Sequence, residues 1–186
     1  SAIETGSFVS SKWVPQMAQT SDVFGSIKKY PGVSYSALTP NLRGLHDAIE
    51  ANVEEVAVFA ASSESFSKKN INCSIDDSLD TFSKVCKKAQ EKGIRVRGYL
   101  SCVFGCPYEG DVKFEKVLQV TSRLIEIGCY EVSLGDTIGT GTPIKAKELI
   151  NFLKNSIPEK QLAVHFHDTF GLGLANILSV IEEGIH

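Results

Sequence analysis

Six short runs rich in β-branched and apolar residues alternate with longer stretches whose apolar positions recur every three or four residues. The runs cover residues 2–8, 33–39, 54–61, 94–102, 130–136 and 161–167. Each is short and bounded by turn-forming residues, as buried parallel strands are. Between them, Leu79, Phe82, Val85, Cys86 and Ala89 mark a helix over 76–90, and Phe114, Val117, Val120, Leu124 and Ile127 mark one over 113–127. Pro143 suits the first turn of a third helix running through Leu153. Gly93 and Gly128 each sit where a helix must stop before a new strand.

Strict βα alternation implies a parallel sheet with helices on its faces. Two architectures provide one, the doubly wound sheet and the (β/α)8 barrel. A Rossmann domain carries a glycine-rich turn after its first strand, and Gly6-Ser7-Phe8 is no such turn. A closed barrel needs eight units and about 250 residues. The 186 residues hold about six units. Ser1 starts almost inside a strand, and Gly184-Ile185-His186 approaches another. The expectation is therefore one α/β domain over residues 1–186: an incomplete TIM (β/α)8 barrel lacking its first unit and its C-terminal part. No signal peptide is visible, although a start in mid-pattern leaves room for a targeting segment that has been lost.

Composition narrows the partners. The net charge is −3 with no basic block, which argues against nucleic acid and anionic membrane. No apolar run approaches the roughly 20 residues that span a bilayer. The five cysteines, 73, 86, 102, 106 and 129, are odd in number and irregularly spaced, which favours a soluble protein of a reducing compartment. Cys102 and Cys106 are spaced as a redox or metal pair could be, but no second pair completes a zinc site, so unpaired structural thiols are the favoured reading.

In a βα barrel the chemistry gathers where strands end. Polar residues collect there: Glu4, Thr5 and Ser7; Thr39 and Asn41; Ser62, Ser63 and Glu64; Ser101; Ser133 and Asp136; His165, His167 and Asp168. Two of the four histidines stand in Val164-His165-Phe166-His167-Asp168, at the end of an apolar run. Residues two apart on a strand share a face, so both imidazoles point one way and Phe166 the other. Their Cα atoms are expected roughly 6.5–7 Å apart, close enough to grip one cation. The bland alternative is a pair of hydrogen-bonded histidines in a polar core layer. Imidazole with carboxylate suits Mg²⁺, Mn²⁺ or Zn²⁺, and the spacing does not choose among them. Asp136 reads equally as a turn or capping residue and as a site residue. Glu4 lies in an apolar strand and needs a cation or donors, which a histidine-bound metal or an arginine would supply. The Gly105–Gly110 loop, GCPYEG, reads as a rigid turn.

Five stretches together carry a family resemblance: IETGSFVSSKWVPQM from Ile3, KKNINCS from Lys68, VRGYLSCVFGCPYEG from Val96, CYEVSLGDTIGTGTP from Cys129 and AVHFHDTFGLGLAN from Ala163. The whole chain resembles the 3-hydroxy-3-methylglutaryl-CoA lyase family. The resemblance implies a TIM-barrel carbon–carbon lyase. Such an enzyme splits 3-hydroxy-3-methylglutaryl-CoA into acetyl-CoA and acetoacetate with Mg²⁺ or Mn²⁺, in leucine degradation and ketone-body formation. It implies His165 and His167 as metal ligands, and Glu4, Ser133, Asp136 and His165 as active-site residues. It further implies an acyl-CoA substrate, a homodimer in the intact protein, and a mitochondrial matrix location if eukaryotic or a cytoplasmic one if bacterial. The family's first-strand arginine and aspartate, its asparagine ligand and its catalytic-cysteine loop have no counterpart here. The 186 residues alone are therefore expected to be inactive. Rival readings are an isopropylmalate-synthase-like condensing enzyme, a carboxyltransferase, or a non-catalytic truncated chain. Against the first, Asp168-Thr169 stands where Asn-Asp follows the second histidine in that group; against the second, no lysine stands placed for carbamylation.

Overall fold

The computed structural model describes residues 2–185. In chain order the elements are β1 (Ala2–Ser7), α1 (Thr20–Ser26), β2 (Ser34–Leu38), α2 (Leu42–Glu50), β3 (Glu55–Ala61), α3 (Glu64–Ile71), α4 (Ile75–Gln90), β4 (Arg95–Ser101), β5 (Gly105–Cys106), β6 (Gly110–Asp111), α5 (Phe114–Glu126), β7 (Glu131–Asp136), α6 (Pro143–Lys154), β8 (Leu162–Phe166) and α7 (Gly173–Ile181). Six strands form one parallel sheet in the order β1-β2-β3-β4-β7-β8. Spatial order follows chain order, as in an arc of a βα barrel, and the six expected strands are all present. The start of a further strand expected at Gly184-Ile185-His186 ends in a residue outside the described ones.

α4 shows how local sequence fixes an element. The Ser74 hydroxyl accepts from the Asp77 N–H, capping the first turn. Asp76 and Asp77 in that turn, and Lys87 and Lys88 in the last, complement the helix dipole. Its buried stripe of Ile75, Leu79, Phe82, Val85, Cys86 and Ala89 packs with Val56, Val58 and Ala60 of β3 in the main core. Each large side chain so buried contributes about 1.5–3 kcal/mol. Gly93 (φ 71°) and Gly128 (φ 115°) adopt the left-handed backbone that ends a helix before a strand.

Two details depart from the sequence reading. The segment before α4 is helical too, because Asn72 in the left-handed region (φ 56°) breaks the path into α3 and α4. The loop expected as a rigid turn is a small antiparallel hairpin, β5 paired with β6. It is tied down by the Glu109 carboxylate, which accepts from the Ser65 N–H at the start of α3 (2.6 Å).

The sheet has two edges, β1 and β8. On α7, beside the β8 edge, Leu174, Leu178 and Ile181 form an exposed apolar stripe one helical face wide.

Candidate active site

Strand alternation delivers one face of each strand to the concave side of the sheet. A cleft of about 440 Å³ opens there, lined by Glu4, Leu38, Phe59, Tyr99, Ser101, Ser133, Gly135, Thr137, His165 and His167, with Leu100. His165 and His167 stand on the same side. Their ring centroids are 5.1 Å apart with the planes 66° from parallel. Phe166 takes the opposite side, its ring 5.7 Å from that of Phe104 in the core.

The Nδ1 of His167 lies 2.8 Å from the Thr137 carbonyl oxygen. A carbonyl only accepts, so Nδ1 carries a proton, and in the neutral ring the lone pair then sits on Nε2. Desolvation at the cleft wall, then the neighbouring His167, hold His165 below the ordinary imidazole value, which keeps it neutral at pH 7. Two imidazoles on one face, one with its second nitrogen already engaged, fit the way histidines hold a divalent cation. Glu4 does not close a three-residue cluster with them. Among the described residues, the one set of three donor atoms within 4.8 Å of one another is His46, Asp47 and Glu50 on the outer face of α2.

Glu4 finds its partner elsewhere than expected. The Tyr99 hydroxyl donates to its Oε2 at 2.6 Å. Burial, then the Glu4 carboxylate, push the Tyr99 phenol above its ordinary range, so it stays protonated and keeps donating. Below it, Arg97 stacks on the Tyr99 ring (5.4 Å) and donates from Nε to the Glu131 Oε1 at 2.7 Å. A further pair, Arg95 with the buried Glu55, continues this polar ladder along the strands. Tyr99, Arg97 and Thr137 were not among the sequence candidates, though the alternation in Arg95-Val96-Arg97-Gly98-Tyr99-Leu100-Ser101 carries the signal for the first two.

Asp136 is not brought into the cleft. It is fully buried on the other face of β7, with Val132 and Leu134. Its Oδ1 accepts from Thr140 N (3.1 Å) and its Oδ2 from Gly141 N (2.8 Å), closing the turn that follows β7. Thr142, not Asp136, caps α6. Several other strand-end polar residues also serve the backbone. Asn41 caps α2, Ser63 caps α3, Glu64 accepts from Ile75 N and Asp168 accepts from Gly173 N. All five cysteines are free thiols, and all but Cys73 are buried. No helix among the described residues is long and apolar enough to cross a membrane.

Comparisons with known proteins point to one family. The family model described as HMGL-like matches residues 1–186. The chain is 56% identical over 183 residues to a 3-hydroxy-3-isohexenylglutaryl-CoA/hydroxymethylglutaryl-CoA lyase of Pseudomonas aeruginosa, covering 98% of this chain and 61% of that protein. It is 54% identical over its whole length to the human cytoplasmic 3-hydroxy-3-methylglutaryl-CoA lyase, half of which it covers (50%). To the human mitochondrial hydroxymethylglutaryl-CoA lyase it is 51% identical, over 100% of this chain and 57% of that one. The crystal structure of the P. aeruginosa lyase superposes with a TM-score of 0.96 over 98% of this chain and 61% of that one, at 56% identity. That of an Acinetobacter baumannii lyase in complex with coenzyme A and 3-methylmalate does so with a TM-score of 0.94 over 99% and 60%, at 33% identity. The chain thus spans between half and about three-fifths of the length of these relatives. Matched by that family model over residues 1–186 and more than half identical to lyases of this name, the chain belongs to the HMGL-like family.

Proposed function

We propose that the protein carrying this sequence is a divalent-cation-dependent carbon–carbon lyase that cleaves 3-hydroxy-3-methylglutaryl-CoA into acetyl-CoA and acetoacetate. The observation that carries this reading is the pair His165 and His167, presented on one face of a strand end above a cleft that also holds Glu4 and Ser133. The identity to lyases of that name supports the substrate, and coenzyme A bound to the A. baumannii relative supports an acyl-CoA partner. Two imidazoles with a carboxylate nearby suit Mg²⁺ or Mn²⁺.

His165 and His167 would hold the cation through their free ring nitrogens. When bound, it supplies Lewis-acid stabilisation of the negative charge that develops on the substrate's C3 oxygen. The chain's own groups do the rest. The C3 hydroxyl proton passes to the Glu4 carboxylate, because a neutral imidazole has one ring-nitrogen lone pair and His165 would spend it on the cation. The C2–C3 bond then breaks, leaving the ketone of acetoacetate and the acetyl-CoA enolate, which takes up a proton. Tyr99 orients the Glu4 carboxylate, and the Ser133 hydroxyl offers a donor to a substrate oxygen. Asp136 acts through the turn it closes rather than by touching substrate.

This reading extends to a homodimer in a reducing compartment, the mitochondrial matrix of a eukaryote or the cytoplasm of a bacterium. The free thiols support the compartment. Residues 1–186 alone supply two of the metal ligands and two open sheet edges, so turnover is assigned to a chain of the relatives' length.

The test is acetoacetate release against Mg²⁺ and Mn²⁺ concentration in the protein carrying this sequence. His167→Ala should remove most activity and weaken metal binding, and His165→Ala should do at least as much. Wild-type metal affinity in either variant would rule those side chains out as ligands.

A further inference from the structure

We propose that Thr137 is a positioning residue for His167, acting through a relay that begins at the backbone of Cys102. The inference rests on the metal-site reading above but concerns a residue that reading does not require. Three observations make the relay. Cys102, the residue directly after β4, lies in the left-handed region at φ 65°, which is costly for a side chain of its kind. That conformation accompanies a 2.8 Å hydrogen bond from the Cys102 N–H to the Thr137 hydroxyl oxygen. Thr137 in turn directs its carbonyl at the His167 Nδ1, also at 2.8 Å.

Thr137 has only these two polar handles beyond its own N–H, and each is used in a different direction. The hydroxyl ties the residue to the neighbouring strand end. The carbonyl fixes both the plane of the His167 ring and which nitrogen carries the proton. Val103 N, which donates to the Gly135 carbonyl at 3.1 Å, locks the same two strand ends one step away. The turn from Asp136 to Gly141 is held from its far end, where the Asn176 side-chain amide donates to the Gly141 carbonyl at 3.0 Å. With both ends of the turn held, the Thr137 hydroxyl anchors the residue whose carbonyl reaches His167. Partners that orient a ligating histidine change metal affinity about 10–100-fold when lost.

The variants are Thr137→Val, which keeps the shape and β-branching but loses the acceptor, and Thr137→Ser, which keeps the acceptor. Mn²⁺ affinity is read by electron paramagnetic resonance of the free ion, alongside the ¹⁵N shifts of His167 in metal-free protein. The valine variant should bind Mn²⁺ about tenfold or more weakly and show mixed Nδ1–H and Nε2–H forms at His167. The serine variant should stay within about threefold of wild type with Nδ1–H retained. Equal losses in both, or unchanged affinity and proton position in the valine variant, would overturn the proposal. Should the valine variant not fold, wild-type His167 decides: an Nε2–H ring excludes the relay, and an Nδ1–H ring that serine preserves supports it. If wild type binds no Mn²⁺ at all, the metal reading fails, and the same ¹⁵N measurement still judges the relay.

Discussion

Replacing Asp136 by asparagine tests whether this carboxylate builds the turn or performs chemistry. The carboxylate is fully buried and accepts two backbone N–H groups, from Thr140 and Gly141. Asparagine offers one oxygen. The other corner becomes an NH₂ aimed at a backbone N–H, a donor against a donor. Hydrogen bonds to charged groups contribute about 1.5–3 kcal/mol, and a stranded buried donor costs about 1–3 kcal/mol. Part of this is offset because a buried charge no longer has to be desolvated. A net loss of about 2–4 kcal/mol is expected, a large share of the roughly 5–15 kcal/mol by which domains are stable.

In the protein at its relatives' length, each kcal/mol lowers Tm by about 2–4 °C. The Asn variant should therefore melt about 5–15 °C lower. Circular dichroism melts in metal-free buffer isolate this effect from cation binding. The side chain has little room to adapt, because the space beside Oδ2 is already narrow: a Cβ added at Gly141 would come within 2.9 Å of it. A variant that melts within about 1 °C of wild type yet loses turnover would refute the argument and place the carboxylate in the reaction itself.

Two further outcomes follow from burial. Burial pushes the Cys102 thiol from its ordinary 9.0 up to about 12. The folded state thus holds this proton more tightly than the unfolded chain, so the contribution to stability is complete below pH 9 and is lost as pH rises from there towards 12. Stability measured by urea titration should fall over that window by up to a few kcal/mol, and less steeply in Cys102→Ala; equal slopes would show that the thiol contributes nothing. Separately, residues 1–186 produced alone should aggregate or melt without a sharp transition, because β1 and β8 carry unpaired edges and Leu174, Leu178 and Ile181 face solvent. A soluble monomer with a cooperative melt and metal-dependent acetoacetate release would contradict that.

The six strands were legible because two periodicities compete cleanly along this chain. Runs such as Glu55–Ala61 are short, apolar on both faces and rich in β-branched residues, whereas 76–90 repeats its apolar residues every three or four positions. Strand ends moved by only a residue or so, as hydrogen-bonding criteria and pattern differ at element ends. What stayed hidden was decided by single backbone conformations. Asn72 at positive φ splits α3 from α4, and nothing in the apolar spacing announces it. The β5–β6 hairpin is too short for any periodicity to reveal.

For the site, the decisive rule is strand parity. At the sixth strand it put His165 and His167 together, because Phe166 is an unmistakable core residue between them. The same rule applied to Val132-Ser133-Leu134-Gly135-Asp136-Thr137 places Asp136 with Val132 and Leu134, facing the helices, and Thr137 with Ser133, facing the cleft. Applied to β4, it brings Tyr99 and Ser101 to the cleft wall. Glu4 resists the rule, since the β1–β2 register shifts between Glu4 and Gly6, so counting along the strand does not fix its direction. A polar residue at a strand end is therefore weak evidence of chemistry until its parity is known. Asn41, Ser63 and Asp168 show why, because each spends its side chain on a backbone N–H three to five residues ahead. The polar residues that line the cleft are Glu4, Tyr99, Ser101, Ser133, Thr137, His165 and His167.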